Sequence, residues 1–182
     1  MQPRKQLLVD TAFRLFNEHG YHATGIDWIL AESRVSKATL YKHFRSKEDL
    51  IYAVLKQRDE EVRALIEEHM LAAKKRGKVA ALAIFDGLDT WFHSDNFFGC
   101  YFINASAEYS GQEDPIHELA AQHKAAVLEL IYQYLDVPNA SKRQRLANDI
   151  ALLVEGAIVL AHTCGDKQSA KRAKTMARRL LE

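Results

Sequence analysis

The chain has 182 residues, enough for one domain or for two small domains that share a boundary. Hydrophobic residues make up 48% and charged residues 27%, so the chain is too apolar to be disordered. Because it has only 8 Gly and 3 Pro, collagen-like and low-complexity classes are excluded. No uninterrupted apolar run approaches the roughly 18 residues of a membrane span, and no signal peptide is recognisable. The two cysteines, Cys100 and Cys164, suggest no disulfide framework, so we expect a cytoplasmic protein without a membrane partner.

The net charge of +1 conceals an asymmetry along the chain. Residues 1–48 carry eight Lys or Arg and five Asp or Glu, a net charge of +3, whereas the remainder has a net charge of −2. A basic N-terminal head on a slightly acidic body suggests an anionic partner such as nucleic acid. Chance is the alternative explanation, because the excess is modest.

Apolar residues recur at helical spacing through the chain, and we find no strand pattern and no internal repeat, which predicts an all-α fold. Gly20 is placed as a C-cap, and Ser36 and Ser141 are placed as N-caps. The residues from Ser46 to Asp49 read as a capping box that opens a long helix. The pattern predicts nine helices, at 5–19, from Thr24-Gly25 onward, 36–44, 46–72, 78–94, 97–109, 115–135, 141–163 and 167–181.

Residues 26–44 have the spacing of a helix-turn-helix, with a turn of three to four residues. The second helix would pack Leu40 and Phe44 inward on Phe16, Ile26 and Ile29. Its outer face then presents small and polar side chains suited to a DNA groove, with further polar tips suited to phosphates. These outer residues are Lys37, Ala38, Thr39, Tyr41, Lys42 and His43, with Lys47 in the first turn of the next helix. A plain helical hairpin inside a core is the alternative.

Two stretches closely resemble the DNA-binding head of TetR/AcrR-family transcriptional regulators: G-Y-H-A-T-G-I at 20–26 and V-S-K-A-T-L-Y-K-H-F-R-S-K-E-D-L at 35–50. The resemblance implies an all-helical homodimer with a head at 1–48, a linking helix at 46–72, and a body at 49–182 that binds ligand and dimerises. Such proteins usually repress transcription until a small molecule binds. By this resemblance the DNA-binding residues also include Thr24, Gly25, Arg34 and Ser36. Arg34 departs from the family, which commonly has Gly in the turn.

Seven of the 17 aromatic residues fall within residues 91–109, which suggests a pocket for a small apolar or aromatic ligand. Ordinary core packing is the alternative for each of them. The candidate ligand-binding residues are Trp91, Phe92, Phe98, Cys100, Tyr101, Phe102, Asn104 and Glu108, of which Asn104 and Glu108 would orient the ligand.

The last two predicted helices are amphipathic and carry small residues, so they can pack against a two-fold copy as a four-helix bundle. The resemblance places the dimer interface of the family there. The candidate interface residues are Leu146, Ile150, Leu153, Val154, Ala157, Ala173, Met176 and Ala177. The alternative is that both helices belong to the core of one chain.

The segment 98–108 is similar to a Gly-Cys-led segment that begins the sixth helix in one TetR subgroup. Some members of that subgroup sense electrophiles or oxidants through this cysteine. Cys100 would lie near a helix N-terminus, where the helix dipole favours a reactive thiolate. The aromatic neighbours instead favour a buried structural thiol.

Other function classes find little support. His117 and His123 are six residues apart and do not share a helix face, so we predict no metal site and no cofactor. No nucleophile elbow, P-loop or dinucleotide-binding motif is present, and we do not expect an enzyme. The leading hypothesis is a homodimeric repressor released from a near-palindromic DNA operator by ligand. The alternatives are a sensor of small molecules, oxidants or electrophiles acting through Cys100 or a protein partner, and an α-helical enzyme.

Overall fold

The computed structural model describes residues 3–182, and within them it contains nine α-helices and no strand. The predicted all-α fold is therefore confirmed. A short 3-10 turn, Ala80–Leu82, precedes the fifth helix. The helices are α1 Pro3–His19, α2 Ile26–Ser33, α3 Lys37–His43, α4 Lys47–Lys75, α5 Ala83–Phe92, α6 Tyr101–Glu108, α7 Pro115–Gln133, α8 Ala140–Cys164 and α9 Ser169–Leu180.

Helix ends differ from the sequence prediction where a stronger cap is available. Helix α8 begins at Ala140 because Asn139, not Ser141, is its N-cap; the Asn139 side chain accepts a hydrogen bond from the Lys142 amide at 2.8 Å. The capping box at the start of α4 is confirmed in a variant form. Ser46 Oγ accepts the amide of Asp49, and the Asp49 carboxylate accepts the amide of Arg45 rather than that of Ser46.

The chain forms two compact units. The first contains the residues up to Glu60 together with Cys100–His123, so it includes α6 and the first half of α7 with the head. Its core is built from fully buried aliphatic side chains such as Leu8, Leu15 and Leu40. The boundary predicted at residue 48 separates a DNA-binding head from a ligand-binding and dimerisation body. Because it divides the chain by function, it stays a prediction.

The second unit contains Glu61–Gly99 and Lys124–Glu182. Within it, α9 packs against both α5 and α8, and small residues such as Ala157 and Ala173 let the helix axes approach closely. Among the described helices, α8 is long and apolar enough to cross a membrane by length and composition alone. Its buried residues instead pack within this unit, as expected for a core helix.

The predicted dimer residues lie mainly inside the protomer. Six of the eight are buried in the chain's own core: Leu146, Ile150, Val154, Ala157, Ala173 and Ala177. Leu153 is half-buried, and Met176 is exposed. The apolar residues that α8 and α9 leave exposed share only Met176 with the predicted set: Leu152, Val159, Leu160, Met176 and Leu180. The six buried residues lie in the core of one chain, which favours the alternative that the sequence left open for them, and the dimer interface itself stays a prediction.

Candidate nucleic-acid interface

A tight turn joins α2 to α3. Arg34 ends α2 with φ 55° and ψ 26°, the left-handed conformation that glycine adopts most easily. Val35 is buried, and its amide donates to Ser33 Oγ at 3.3 Å. Ser36 then caps α3, because its hydroxyl oxygen accepts the amide of Thr39 at 3.2 Å. Only three residues therefore separate the two helices, as in a helix-turn-helix.

Helix α3 separates its inner and outer faces clearly. Leu40 is fully buried and Phe44 follows as a buried C-cap residue, which holds the helix on the rest of the unit. The outer face presents the residues that the sequence predicted. Lys37, Ala38, Tyr41 and Lys42 are exposed, and Thr39 and His43 are half-exposed. We call these six residues the recognition face.

Two other predicted DNA-binding residues precede α2 and have different surroundings. Gly25 is exposed at the N-cap of α2. Thr24 is fully buried, and its hydroxyl donates to the carbonyl oxygens of Gly20 at 2.8 Å and Leu15 at 3.2 Å. The structure thus gives Thr24 a role in joining the end of α1 to the start of α2, and its side chain does not reach the surface.

The cations around the recognition face are largely unpaired. Within residues 3–182, Arg34, Lys42 and Arg45 are exposed and form no ion pair. Lys37 lies 3.6 Å from Asp27, but both side chains are well exposed, so this pair holds Lys37 weakly. These charges are available to phosphate groups.

The loop between α1 and α2 is held by the last residue of α6. Glu108 Oε1 accepts the amide of Tyr21 at 2.8 Å, and Glu108 Oε2 accepts the amide of His22 at 2.5 Å. Oε2 also lies 2.8 Å from Nδ1 of His22. Burial by itself raises the pKa of the Glu108 carboxyl, but the hydrogen bonds from His22 and Tyr21 outweigh it and the net pKa is lowered. Glu108 is therefore an ionised acceptor for this loop.

Glycine is required at the end of α1 for two reasons. Gly20 has φ 86°, and a Cβ atom there would lie 3.0 Å from Glu108 Oε1. A larger residue would therefore both strain the backbone and push the carboxylate away. Sequence reasoning assigned Glu108 to a ligand pocket and missed this contact, since its partners are more than 80 residues away in the chain.

The predicted ligand-binding residues are divided between the two compact units. In the first unit, Tyr101 packs edge-on against Phe13 with ring centroids 5.0 Å apart. Phe102 stacks on His123 at 3.7 Å, and His123 Nδ1 lies 2.8 Å from Asp59 Oδ1. Asn104 is half-buried on the same helix. These contacts account for the aromatic residues of α6 as packing within the first unit.

In the second unit, Trp91 and Phe92 surround Phe97, with ring centroids 4.9 and 5.0 Å from it. Phe98 is half-buried. A groove of about 610 Å³ also lies in this unit, but none of the eight predicted ligand residues lines it. Its walls come from the segment 74–80, the residues 133–137, Arg143 and Leu181.

Cys100 is the N-cap residue of α6 and is 6% exposed. Its backbone carbonyl accepts the amide of Asn104 at 3.0 Å, which begins the helix. The preceding residue, Gly99, has φ 87°, and a Cβ atom there would lie 2.4 Å from Nδ1 of His162. Glycine is therefore needed immediately before this cysteine.

Comparisons with known proteins agree with the helix-turn-helix and with the all-α fold described above. The family model described as bacterial regulatory proteins of the tetR family matches residues 8–54, which include most of α1, α2, α3 and the start of α4. The solved structure of SCO4454, a TetR-family transcriptional regulator from Streptomyces coelicolor, superposes with a TM-score of 0.86. The two sequences are 28% identical, and the match covers 98% of this chain and 94% of that one. Residues 8–54 of this chain thus match the tetR DNA-binding region, and the chain as a whole has the fold of a TetR-family regulator.

Further relatives match over most of the chain. The transcriptional repressor ComR of Escherichia coli is 26% identical over 161 residues, which cover 84% of this chain and 77% of ComR. The multidrug binding protein EbrR, solved in complex with ethidium, shares the fold with a TM-score of 0.71 at 19% identity and 99% coverage of both chains. The family-model match and the full-length relatives together support a DNA-binding transcriptional regulator.

Proposed function

We propose that this TetR-family regulator is a homodimeric repressor that binds a near-palindromic operator and leaves it when a small molecule binds. The observation that carries the DNA-binding part is the capped, three-residue turn that holds the recognition face outward. The major groove of DNA is about 12 Å wide and admits one helix of this kind.

The side chains of the recognition face divide into two roles. Lys37, Ala38 and Thr39 lie at the start of α3, the part of a recognition helix that meets base edges. Residues later in α3 and at the start of α4 have polar or charged side chains that contact phosphates. The exposed residues just before α2 and in the α2–α3 turn contact phosphates as well. The phosphate set is Tyr41, Lys42, His43 and Lys47, with Gly25, Arg34 and Ser36; Thr24 is left out because its hydroxyl is buried.

We assign the dimer interface to the exposed apolar residues of α8 and α9. Leu152 and Val159 are seven residues apart, so they lie on one side of α8, and Met176 and Leu180 share a side of α9. Two copies of this surface form a symmetric four-helix bundle. A two-fold protein requires a near-palindromic site, with half-sites roughly 34–36 Å or a multiple of that distance apart.

For the ligand, we propose an apolar or aromatic small molecule that binds next to the Trp91, Phe92 and Phe97 cluster. The support is the chemistry of these rings and the shared fold with EbrR, whose solved complex contains ethidium. The repressor ComR supports the sign of regulation. The ligand acts by binding more tightly to a conformation in which the two recognition helices are wrongly spaced for DNA.

Selection of bound duplexes from a random pool tests this proposal. We expect enrichment of one near-palindromic sequence that binds the dimer, with affinity that falls steeply as salt is added. Apolar and aromatic compounds are then screened for release of that duplex in a gel-shift assay. Recovery of no preferred sequence would contradict the proposal.

A further inference from the structure

Helix α6 contacts the loop between α1 and α2 at both of its ends. At its C-terminal end, Glu108 accepts both backbone amides that follow Gly20. At its N-terminal end, the carbonyl of Tyr101 accepts the hydroxyl of Tyr21 at 3.0 Å. Residue Tyr21 therefore contacts α6 at both ends, which fixes the loop along the whole length of this short helix.

His22 extends the connection to α4. Its ring stacks on that of Tyr109, with ring centroids 4.8 Å apart, and its carbonyl accepts a hydrogen bond from Lys47 Nζ at 3.1 Å. Lys47 is the first residue of α4 and one of the proposed phosphate contacts. The chain of contacts thus runs from Glu108 through His22 to Lys47 within one compact unit.

The same loop leads into the helix-turn-helix. The buried hydroxyl of Thr24 donates to the carbonyl of Gly20, so the residues held by Glu108 are joined to the segment that starts α2. Displacement of the Glu108 carboxylate would leave the amides of Tyr21 and His22 without their acceptor. A displaced loop would also move the carbonyl to which Lys47 donates.

We propose that Glu108 is a positioning residue for DNA binding: its carboxylate holds the α1–α2 loop, and through that loop the start of α2 and the Lys47 side chain, in the geometry that binds DNA. This inference rests on the proposed function, since it concerns how the same DNA-binding surface is held in place.

The substitution Glu108→Gln tests this proposal with almost no change of volume. An amide has one oxygen and one NH₂ group, so it accepts from one loop amide and directs a donor toward the other. Removal of a carboxylate near a DNA-binding surface would by charge alone strengthen DNA binding. The proposal predicts the opposite sign, a loss of affinity of about tenfold or more, because a partly buried charge-assisted hydrogen bond is replaced by a clash of donors.

Glu113→Gln is the matched control, because Glu113 is exposed in the loop after α6 and has no hydrogen bond or ion pair among the described residues. The dissociation constant of the selected duplex is measured well below the unfolding transition of each variant. Amide hydrogen exchange is measured at Tyr21 and His22. We expect weaker DNA binding and faster exchange at both amides for Glu108→Gln, and no change for Glu113→Gln.

A double-mutant cycle with His22→Ala keeps the proposal testable if Glu108→Gln folds poorly at one temperature. The loss of DNA affinity in the double variant should be smaller than the product of the two single losses, because both act through one contact. If Glu108→Gln unfolds more easily but binds DNA like the wild type, the residue serves stability only and the inference is overturned. If the wild type itself selects no duplex, the proposed function fails, and the wild-type measurement distinguishes that result.

Discussion

Leu152 and Ala157 lie on opposite sides of α8: Leu152 is 73% exposed, whereas Ala157 is 3% exposed against the chain's own core. Substitutions at these two residues therefore test dimer formation and folding separately. We expect Leu152→Asp to give folded monomers, since it places a charge in the proposed dimer interface. Ala157→Asp should unfold the protein, because it buries a carboxylate without a partner. Analytical ultracentrifugation and circular dichroism check both variants, and a folded dimer of Leu152→Asp would exclude this interface.

The difference between these residues shows why hydrophobic periodicity could not predict which side of α8 packs within the chain. The sequence indicated an apolar side of the helix, and the structure has apolar residues on two sides. Helical spacing identifies a side that is buried but does not say whether it packs within the chain or on a second copy. The stripe containing Ile150 and Ala157 is buried in the core to which α5 and α9 contribute, so the side with Leu152 remains for a partner.

The left-handed conformation of Arg34 predicts a stability difference between two substitutions. Arg34→Gly and Arg34→Ala both remove the guanidinium, but only glycine adopts φ 55° without strain. We expect the Gly variant to be more stable than the Ala variant by about 1 kcal/mol. Urea denaturation measures this difference. Equal free energies of unfolding would show that the turn relaxes in solution.

Residue Tyr109 predicts a loss of stability at high pH. Burial, aided by the negative charges of Glu48, Glu108 and Asp114, raises its pKa to about 12. The pKa of tyrosine in an unfolded chain is about 10, so the neutral phenol contributes stability that is fully present below that pH. This contribution is lost as the pH rises through the folded pKa of about 12.

We therefore expect the free energy of unfolding to fall as the pH is raised from about 10 toward 12. The variant Tyr109→Phe should lose less stability over this range, because it has no phenol to ionise. Tyr41→Phe is the control, since Tyr41 is exposed on α3. Urea denaturation at several pH values measures all three proteins, and identical pH profiles would contradict the assignment to Tyr109.

The burial of Cys100 predicts that it acts in packing rather than in sensing. A thiol that is 6% exposed is poorly accessible to an oxidant or electrophile in solution. We expect hypochlorite or a quinone to release DNA equally, or not at all, from the wild type and from Cys100→Ser. The gel-shift assay measures release. Release from the wild type alone would instead support the cysteine-based sensing that the sequence raised as an alternative.

Helix α3, its capped turn and its exposed face were largely predictable from the sequence because their determinants are local. Ser36, the three-residue turn and the alternation of Leu40 with polar neighbours all lie within one short segment, and capping and amphipathicity act over one or two helical turns. Glu108 was not predictable in this way. Its acceptor role depends on Tyr21 and His22, which only the tertiary fold brings to it.

The measurement that tests the central claim most directly is DNA binding by Lys37→Ala and Lys47→Ala, with the exposed Lys56→Ala on α4 as control. We expect Lys37→Ala to lose preference at one base-pair position by about 1–3 kcal/mol. Lys47→Ala should weaken all duplexes alike and lower the slope of log affinity against log salt by about one. If both variants bind every duplex with the affinity and salt dependence of the wild type and of Lys56→Ala, α3 is not the helix that reads DNA.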